Sequence, residues 1–314
     1  MKKLMRIIVF FVFVIIVFVI WVIKRPVVSK DYYKKTETAG ELEAKYTAMG
    51  SYDVSYIKAK SADYKNFTVW YPTETESSQD KYPLVVMVNG TGVPADKYTA
   101  VFKHLASWGF IVAGNQDENS RTGKSSSESL EYMLSQNENK ESIFYNRVDV
   151  DNIGIAGHSQ GGVGAVNAVT GYKNGSRYKA MWVASTTSSF WGQELALGKE
   201  WQYDMSKVSI PCFMVAGTGP IDAGTANSIN ETEGQGICPL WSMRENFDAV
   251  NNNSEKLMAR RKNTDHGQML YSADGYMTAW FCCFLKNDTE AEKAFFGENA
   301  EIFNNSIWQD VDLK

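Results

Sequence analysis

The residues most able to do chemistry are Gly157-His158-Ser159-Gln160-Gly161, a Gly-x-Ser-x-Gly pentapeptide. Residues 151–156 ahead of it read as a short buried strand. Gly162, Val163, Gly164, Ala165 and Val166 behind it open a helix of small and apolar side chains. A serine on a sharp strand-to-helix turn is held in a strained backbone conformation, and glycines flank it because strand and helix pass too closely for larger side chains. Outside such a setting the pentapeptide would be only a glycine-rich turn.

A serine hydroxyl is a weak nucleophile until a base takes its proton. The chain has three histidines. His104 falls in a helical segment between core-facing positions and is expected to be structural or at the surface. His158 is the variable residue of the pentapeptide, with its side chain expected to turn away from the nucleophile. By elimination His266, in the polar loop Asn263-Thr264-Asp265-His266-Gly267, is the expected base. A carboxylate must orient that imidazole and stabilise its charged form. In a strand-turn-helix serine enzyme it lies between serine and histidine in chain order, after a strand. Asp222, in the loop after the apolar run 210–216, fits best. Asp204 and Glu231 are weaker candidates, and Asp265 is set aside as too close to His266 in sequence. The oxyanion of an attacked carbonyl needs preorganised N–H donors. The Gln160 N–H is the expected first donor and the Thr91 N–H the second, with Gly90 next, because Asn89-Gly90-Thr91-Gly92 follows a buried strand.

These residues need a scaffold. Residues 83–88 form a continuous apolar run, the mark of a strand covered on both faces. Further strands are expected at 52–59, 67–71, 110–113, 180–184, 210–216 and 256–261, with helices near 98–105, 127–134 and 273–285. Strands alternating with helices predict an α/β fold whose mostly parallel sheet carries helices on both faces. Sites in such sheets lie beyond the carboxyl ends of the strands. The stretches 188–207 and 224–241 exceed ordinary connections and are expected to be cap or rim loops. Phe190 and Trp191 in the first are candidate substrate contacts, with Gly90.

The first residues stand apart. Residues 7–23 are an unbroken apolar run of 17, with Lys2, Lys3 and Arg6 before it and Lys24 and Arg25 after it. No small-residue cleavage site follows, so residues 1–25 are expected to be an uncleaved signal anchor, holding the remainder outside the membrane; secretion after cleavage is the alternative. Residues 26–50 are expected to be a polar linker and 51–314 the catalytic domain. Six Lys/Arg and no acids fall within residues 1–30, leaving 26 basic and 36 acidic side chains, a net of −10. Such a domain is a poor nucleic-acid binder. No cysteine–histidine spacing suggests zinc. Of the four cysteines, Cys212 is expected to be a buried thiol; a bridge from Cys238 to Cys282 or Cys283 is weighed against free thiols, and the pairing is left open. Oligomeric state is left open.

Together these residues resemble the bacterial cutinase-like polyester hydrolases, in the dienelactone-hydrolase and esterase branch of the α/β-hydrolases. The resemblance spans residues 52–296. It is carried by Val69-Trp70-Tyr71-Pro72, 83–90, Leu105-Ala106-Ser107-Trp108-Gly109-Phe110, Asp117-Glu118-Asn119-Ser120, the serine turn, Ile210-Pro211 and Thr278-Ala279-Trp280-Phe281. It implies an α/β-hydrolase fold, a triad falling on Ser159, Asp222 and His266, and hydrolysis of small-molecule or polymeric esters through an acyl-enzyme without metal or organic cofactor. Thr91 and Thr187 stand where the family carries aromatic residues that would stack on an aromatic polymer unit. That argues against carrying the polymer substrate over. The same triad would serve a serine peptidase or an acyltransferase, and a non-catalytic surface binding protein is the reading of another class.

Overall fold

The computed structural model describes residues 25–314. Nine strands form one sheet in the order β1-β2-β4-β3-β5-β6-β7-β8-β9. They are β1 (Val54–Lys60), β2 (Asn66–Pro72), β3 (Tyr82–Val88), β4 (Ile111–Asn115), β5 (Val148–His158), β6 (Tyr178–Ala184), β7 (Cys212–Gly217), β8 (Lys256–Arg261) and β9 (Trp308–Leu313). From β4 to β8 neighbours run parallel; β1, β2 and β9 add antiparallel edges. Seven strands lie where the sequence places them, within a few residues, and the serine strand is longer at its start than 151–156. The ninth, at the far edge, was not expected.

Every side chain of β3 is buried. Val85 and Met87 pack into one core, and Leu84, Val86 and Val88 into the other, as the two-residue period of a strand requires. Helices α1 (Glu41–Thr47), α2 (Thr99–Ser107) and α7 (Asp274–Lys286) supply buried side chains to the first core. Helices α3 (Lys124–Glu138), α4 (Gln160–Gly171) and α6 (Leu240–Ala249) supply the second; α5 (Pro220–Ala223) is a single turn beside the site.

One expectation is corrected here, and the open cysteine pairing is resolved. Residues 26–50 are not a linker, because Val28, Tyr32 and Tyr46 are core residues. Glu43 is buried as well, accepting hydrogen bonds from Trp308 Nε1 at 2.9 Å and Asn305 Nδ2 at 2.7 Å. The Tyr32 hydroxyl donates to the buried Asp274 carboxylate. The folded body therefore begins by Val28 rather than at residue 51. The four cysteines are all free thiols. Cys238 belongs to one core and Cys282 to the core on the other face of the sheet, which separates them. Burial pushes the Cys212, Cys282 and Cys283 thiols up to about 12, and it raises that of Cys238 well above the usual thiol range.

Among the described residues no helix is long and apolar enough to cross a membrane. The expected signal anchor, whose apolar run ends at Ile23, lies outside the described residues.

Candidate active site

Parallel neighbours bring the site together. Val88 pairs with Gly157 across β3 and β5, so the loop 89–93 leaves the sheet beside Ser159. Gly217 pairs with Arg261 across β7 and β8, so the loops carrying Asp222 and His266 leave side by side. Ala184, at the end of β6, faces His158 on one side and Val215 on the other.

Ser159 sits between β5 and α4 with φ 60° and ψ −124°. This is a region where a side chain is held only by its surroundings, at a strain of about 1–3 kcal/mol. The surroundings are close. A Cβ on Gly157 would lie 2.1 Å from the Gly161 carbonyl oxygen, and one on Gly161 would lie 2.2 Å from the Val88 carbonyl oxygen. Only glycine allows the helix start, the elbow and β3 to approach so closely.

Ser159 Oγ lies 2.9 Å from His266 Nε2, and His266 Nδ1 lies 2.7 Å from Asp222 Oδ1. With Nδ1 donating to the carboxylate, Nε2 is left to accept from the serine hydroxyl. Asp222 is fully buried and its two oxygens have different partners. Its Oδ2 accepts from the Ser185 hydroxyl at 2.5 Å and from the Gly217 N–H at 2.8 Å, while Oδ1 receives the imidazole. Ser185 had no signal in the sequence. It sits at φ 47° just past β6, and only the register of β6 against β7 shows that its hydroxyl meets the acid.

Asp265, set aside earlier, has a distinct place. Its Oδ1 accepts from the backbone N–H of Ile221 at 3.0 Å, of Asp222 at 3.0 Å and of His266 at 2.8 Å. Partial burial works to raise its carboxyl pKa, but the N–H groups of His266, Asp222 and Ile221 outweigh that and lower it. One oxygen thus ties the acid loop to the histidine loop.

The other histidines divide as follows. His104 is buried, with Nε2 3.0 Å from the Ala48 carbonyl, and burial pushes its pKa down to about 4. It is structural. His158 does not turn away from the site: its Nε2 donates to the His266 carbonyl at 2.8 Å and its ring lies 4.8 Å from that of His266. Burial first, and then the charge of His266, lower its pKa, so it stays neutral against the second imidazole.

Gln160 follows the serine at the first position of α4. Its side-chain Nε2 donates to the Glu118 carbonyl at 3.0 Å, and its Oε1 accepts from Arg121 at 3.0 Å. Arg121 also pairs with Glu200 and stacks over Trp201, its guanidinium carbon 5.3 Å from the ring centre. Thr91 is exposed on the cleft, and a Cβ on Gly90 would lie 3.8 Å from that of Ser159.

The cleft over Ser159 and His266 holds about 490 Å³. Its walls include Val93, Thr187, Leu197, Trp201, Ile237 and Leu270. Phe190 and Trp191 do not line it. The Trp191 indole N–H is tied to the Gly236 carbonyl at 3.0 Å, and its ring meets Phe190 edge-on, so the pair fastens one rim loop to the other. Leu197 and Trp201 from the same loop form the wall instead.

A family model described as PET hydrolase-like (PETase) matches residues 35–310. The chain belongs to this family. The PET hydrolase-like family comprises serine esterases of the α/β-hydrolase fold, so the chain is a hydrolase that acts on esters. No protein matches the chain among curated sequences.

Proposed function

We propose that this PET hydrolase-like chain is a carboxylic-ester hydrolase working through an acyl-enzyme on Ser159. Ser159 Oγ attacks the ester carbonyl carbon as its proton passes to His266 Nε2. The oxyanion that forms accepts the backbone N–H groups of Gln160 and Thr91, and Asp222 Oδ1 holds the charged imidazole. His266 returns the proton to the departing alcohol. Water then attacks the acyl group with His266 again as base, and the acid leaves. Neutral His158 behind His266 keeps the developing positive charge on a single imidazole. The carrying observation is the unbroken line from Ser159 Oγ through His266 to Asp222, at 2.9 and 2.7 Å.

Residues 7–23 act as an uncleaved anchor in this proposal, with the hydrolase domain outside the membrane. The support is the 17-residue apolar run between basic flanks and the lack of a small-residue cleavage site after it.

The full chain should turn over p-nitrophenyl butyrate and react covalently with a fluorophosphonate, and Ser159→Ala should abolish both. Labelling of the Ser159→Ala chain at the wild-type level would overturn the assignment. Peptide amides and alcohol acceptors in the same assay distinguish a peptidase or an acyltransferase.

A further inference from the structure

The chain enters the domain at the mouth of the cleft. Val27 lines the same cleft as Ser159 and His266. Its N–H donates to the Lys97 carbonyl at 2.8 Å, and Lys97 Nζ reaches back to the Arg25 carbonyl at 3.3 Å. Val28 is buried next to it, and Tyr32 is fastened to Asp274 in the core. The entering segment is therefore bonded to the domain and has no slack. The apolar run 7–23 ends four residues before Val27, a reach of at most about 14 Å. Whatever holds that run lies within that distance of the cleft.

The surface there matches. Among the described residues seven large apolar side chains are exposed, and four of them lie on or next to the segments that line this cleft: Val27 at 51%, Leu195 at 101%, Leu197 at 51% and Ile221 at 57%. Val27 and Leu197 line it, and Leu195 is two residues from Leu197. The Ile221 carbonyl accepts from the N–H of Ile237, another wall residue, at 2.8 Å. Clustering of exposed apolar side chains at a rim marks a surface that meets something apolar. A net charge of −10 beyond residue 30 leaves apolar contact, not attraction to anionic headgroups, as the means.

We propose that this rim rests on the membrane that holds residues 7–23, and that the ester taken by Ser159 is an acyl lipid drawn from that bilayer; this rests on reading Ser159 as the nucleophile and the apolar run as an anchor. The walls fit an aliphatic chain. Thr91 and Thr187 offer no ring to stack on, and the Trp201 face carries the Arg121 guanidinium. Val93, Leu197, Ile237 and Leu270 supply branched apolar surface. In the reaction the acyl C–O bond breaks as the Ser159 ester forms, and the alcohol leaves with the proton from His266. Water then releases the fatty acid.

The test uses the full chain in phosphatidylcholine vesicles with a nitroxide on Leu195→Cys. A matched label on Ile143→Cys reports the opposite end of the sheet, ahead of the start of β5. The four native thiols are buried or half-buried, so the introduced ones react first. The label at 195 should be relaxed more by membrane-dissolved oxygen than by an aqueous nickel chelate, and the label at 143 the reverse. A label at 195 as open to nickel as that at 143 overturns the membrane contact. In the same vesicles Leu195→Asp should slow hydrolysis of dioleoylglycerol at least fivefold while leaving p-nitrophenyl butyrate within twofold. Full exposure of Leu195 keeps that substitution from disturbing the fold. Equal rates on dioleoylglycerol, or no hydrolysis of it by a wild-type chain active on the soluble ester, overturns the lipid substrate. A Ser159 that ignores fluorophosphonate sinks the catalytic reading alone, because the nitroxide depth is measured without turnover.

Discussion

Asp265→Ala should damage catalysis far more than its position outside the serine–histidine–acid line suggests. Its Oδ1 alone gathers the N–H groups of Ile221, Asp222 and His266, at 2.8–3.0 Å. Hydrogen bonds to a charged group contribute roughly 1.5–3 kcal/mol each when buried. Asp265 is only partly buried, so water replaces much of what is lost and screening weakens the rest. The expected loss of stability is ~2 kcal/mol, small for a domain of this size. The kinetic effect is larger, because without the shared oxygen the two loops shift independently. A displacement of about 1 Å between base and nucleophile costs ~100-fold in rate. The expected result is a kcat for p-nitrophenyl butyrate lowered about 10- to 100-fold, with KM little changed. Asp265→Asn keeps one carbonyl oxygen in the place where the three N–H groups converge, and should restore most of the kcat. A fully active Asp265→Ala would refute the reasoning. So would an Asp265→Asn as impaired as Asp265→Ala, since negative charge would then matter in place of the shared acceptor.

The remaining predictions concern packing, thiols and pH. Gly161→Ala drives a Cβ to 2.2 Å from the Val88 carbonyl oxygen, so it should lower stability by about 2–3 kcal/mol in urea unfolding and remove fluorophosphonate labelling; normal labelling would show that the elbow tolerates the shift. Because all four cysteines are free, reductant should leave the melting temperature unchanged, and a fall of several degrees would reveal a disulfide worth ~2–4 kcal/mol. His158 has a pKa below its unfolded value of about 6.5, so between the two values the unfolded chain binds a proton that the folded chain refuses. Its contribution is whole above about pH 6.5 and is lost as pH falls through the folded value. Urea unfolding at pH 7.5 and pH 5 should show a greater loss for wild type than for His158→Gln, and equal losses would contradict the buried neutral imidazole.

What the sequence discloses follows the range over which its signals act. The serine turn is legible because its demands are local: five consecutive residues, with glycines wherever strand, turn and helix converge. Elimination among three histidines leads to His266, and chain order leads to Asp222. Asp265 is set aside for its closeness to His266 in sequence, whereas the residue works on backbone N–H groups whose convergence depends on β7 lying beside β8. Ser185 is hidden by the same dependence on strand pairing. Residues 26–50 look like a linker because they bury polar groups: Glu43 is satisfied by Trp308 and Asn305, more than 260 residues away, and no apolar period signals it. The last strand, Trp-Gln-Asp-Val-Asp-Leu, is an edge strand with most of its side chains partly exposed, and it lacks the apolar run that marks the central ones. In the rim loops, neither helical nor strand period fixes which aromatic faces the cleft, and Trp201 does so where Trp191 was expected.

The same difference in range separates the parts of this site that can vary from those that cannot. The loop with the proposed second oxyanion donor, the proposed nucleophile, the hydroxyl that holds Asp222, the proposed acid and the proposed base leave the ends of β3, β5, β6, β7 and β8 in turn. These five strands are consecutive neighbours in the sheet, so each group is set by the pairing of the one beside it. A register slip of one residue would turn the end of a strand to its other face and break the line at that point. The rim is attached otherwise, through side-chain links such as Arg121 to Glu200 and Asn167 to the Gln202 carbonyl. Yet Arg121 also holds Gln160, whose N–H is the proposed first oxyanion donor, so the rim loop carrying Trp201 is joined to the nucleophile turn by one guanidinium. A shift of that loop would therefore reach the Gln160 side chain through Arg121. Substrate choice can change through the rim while the five strand ends stay fixed, provided that Arg121 keeps its place.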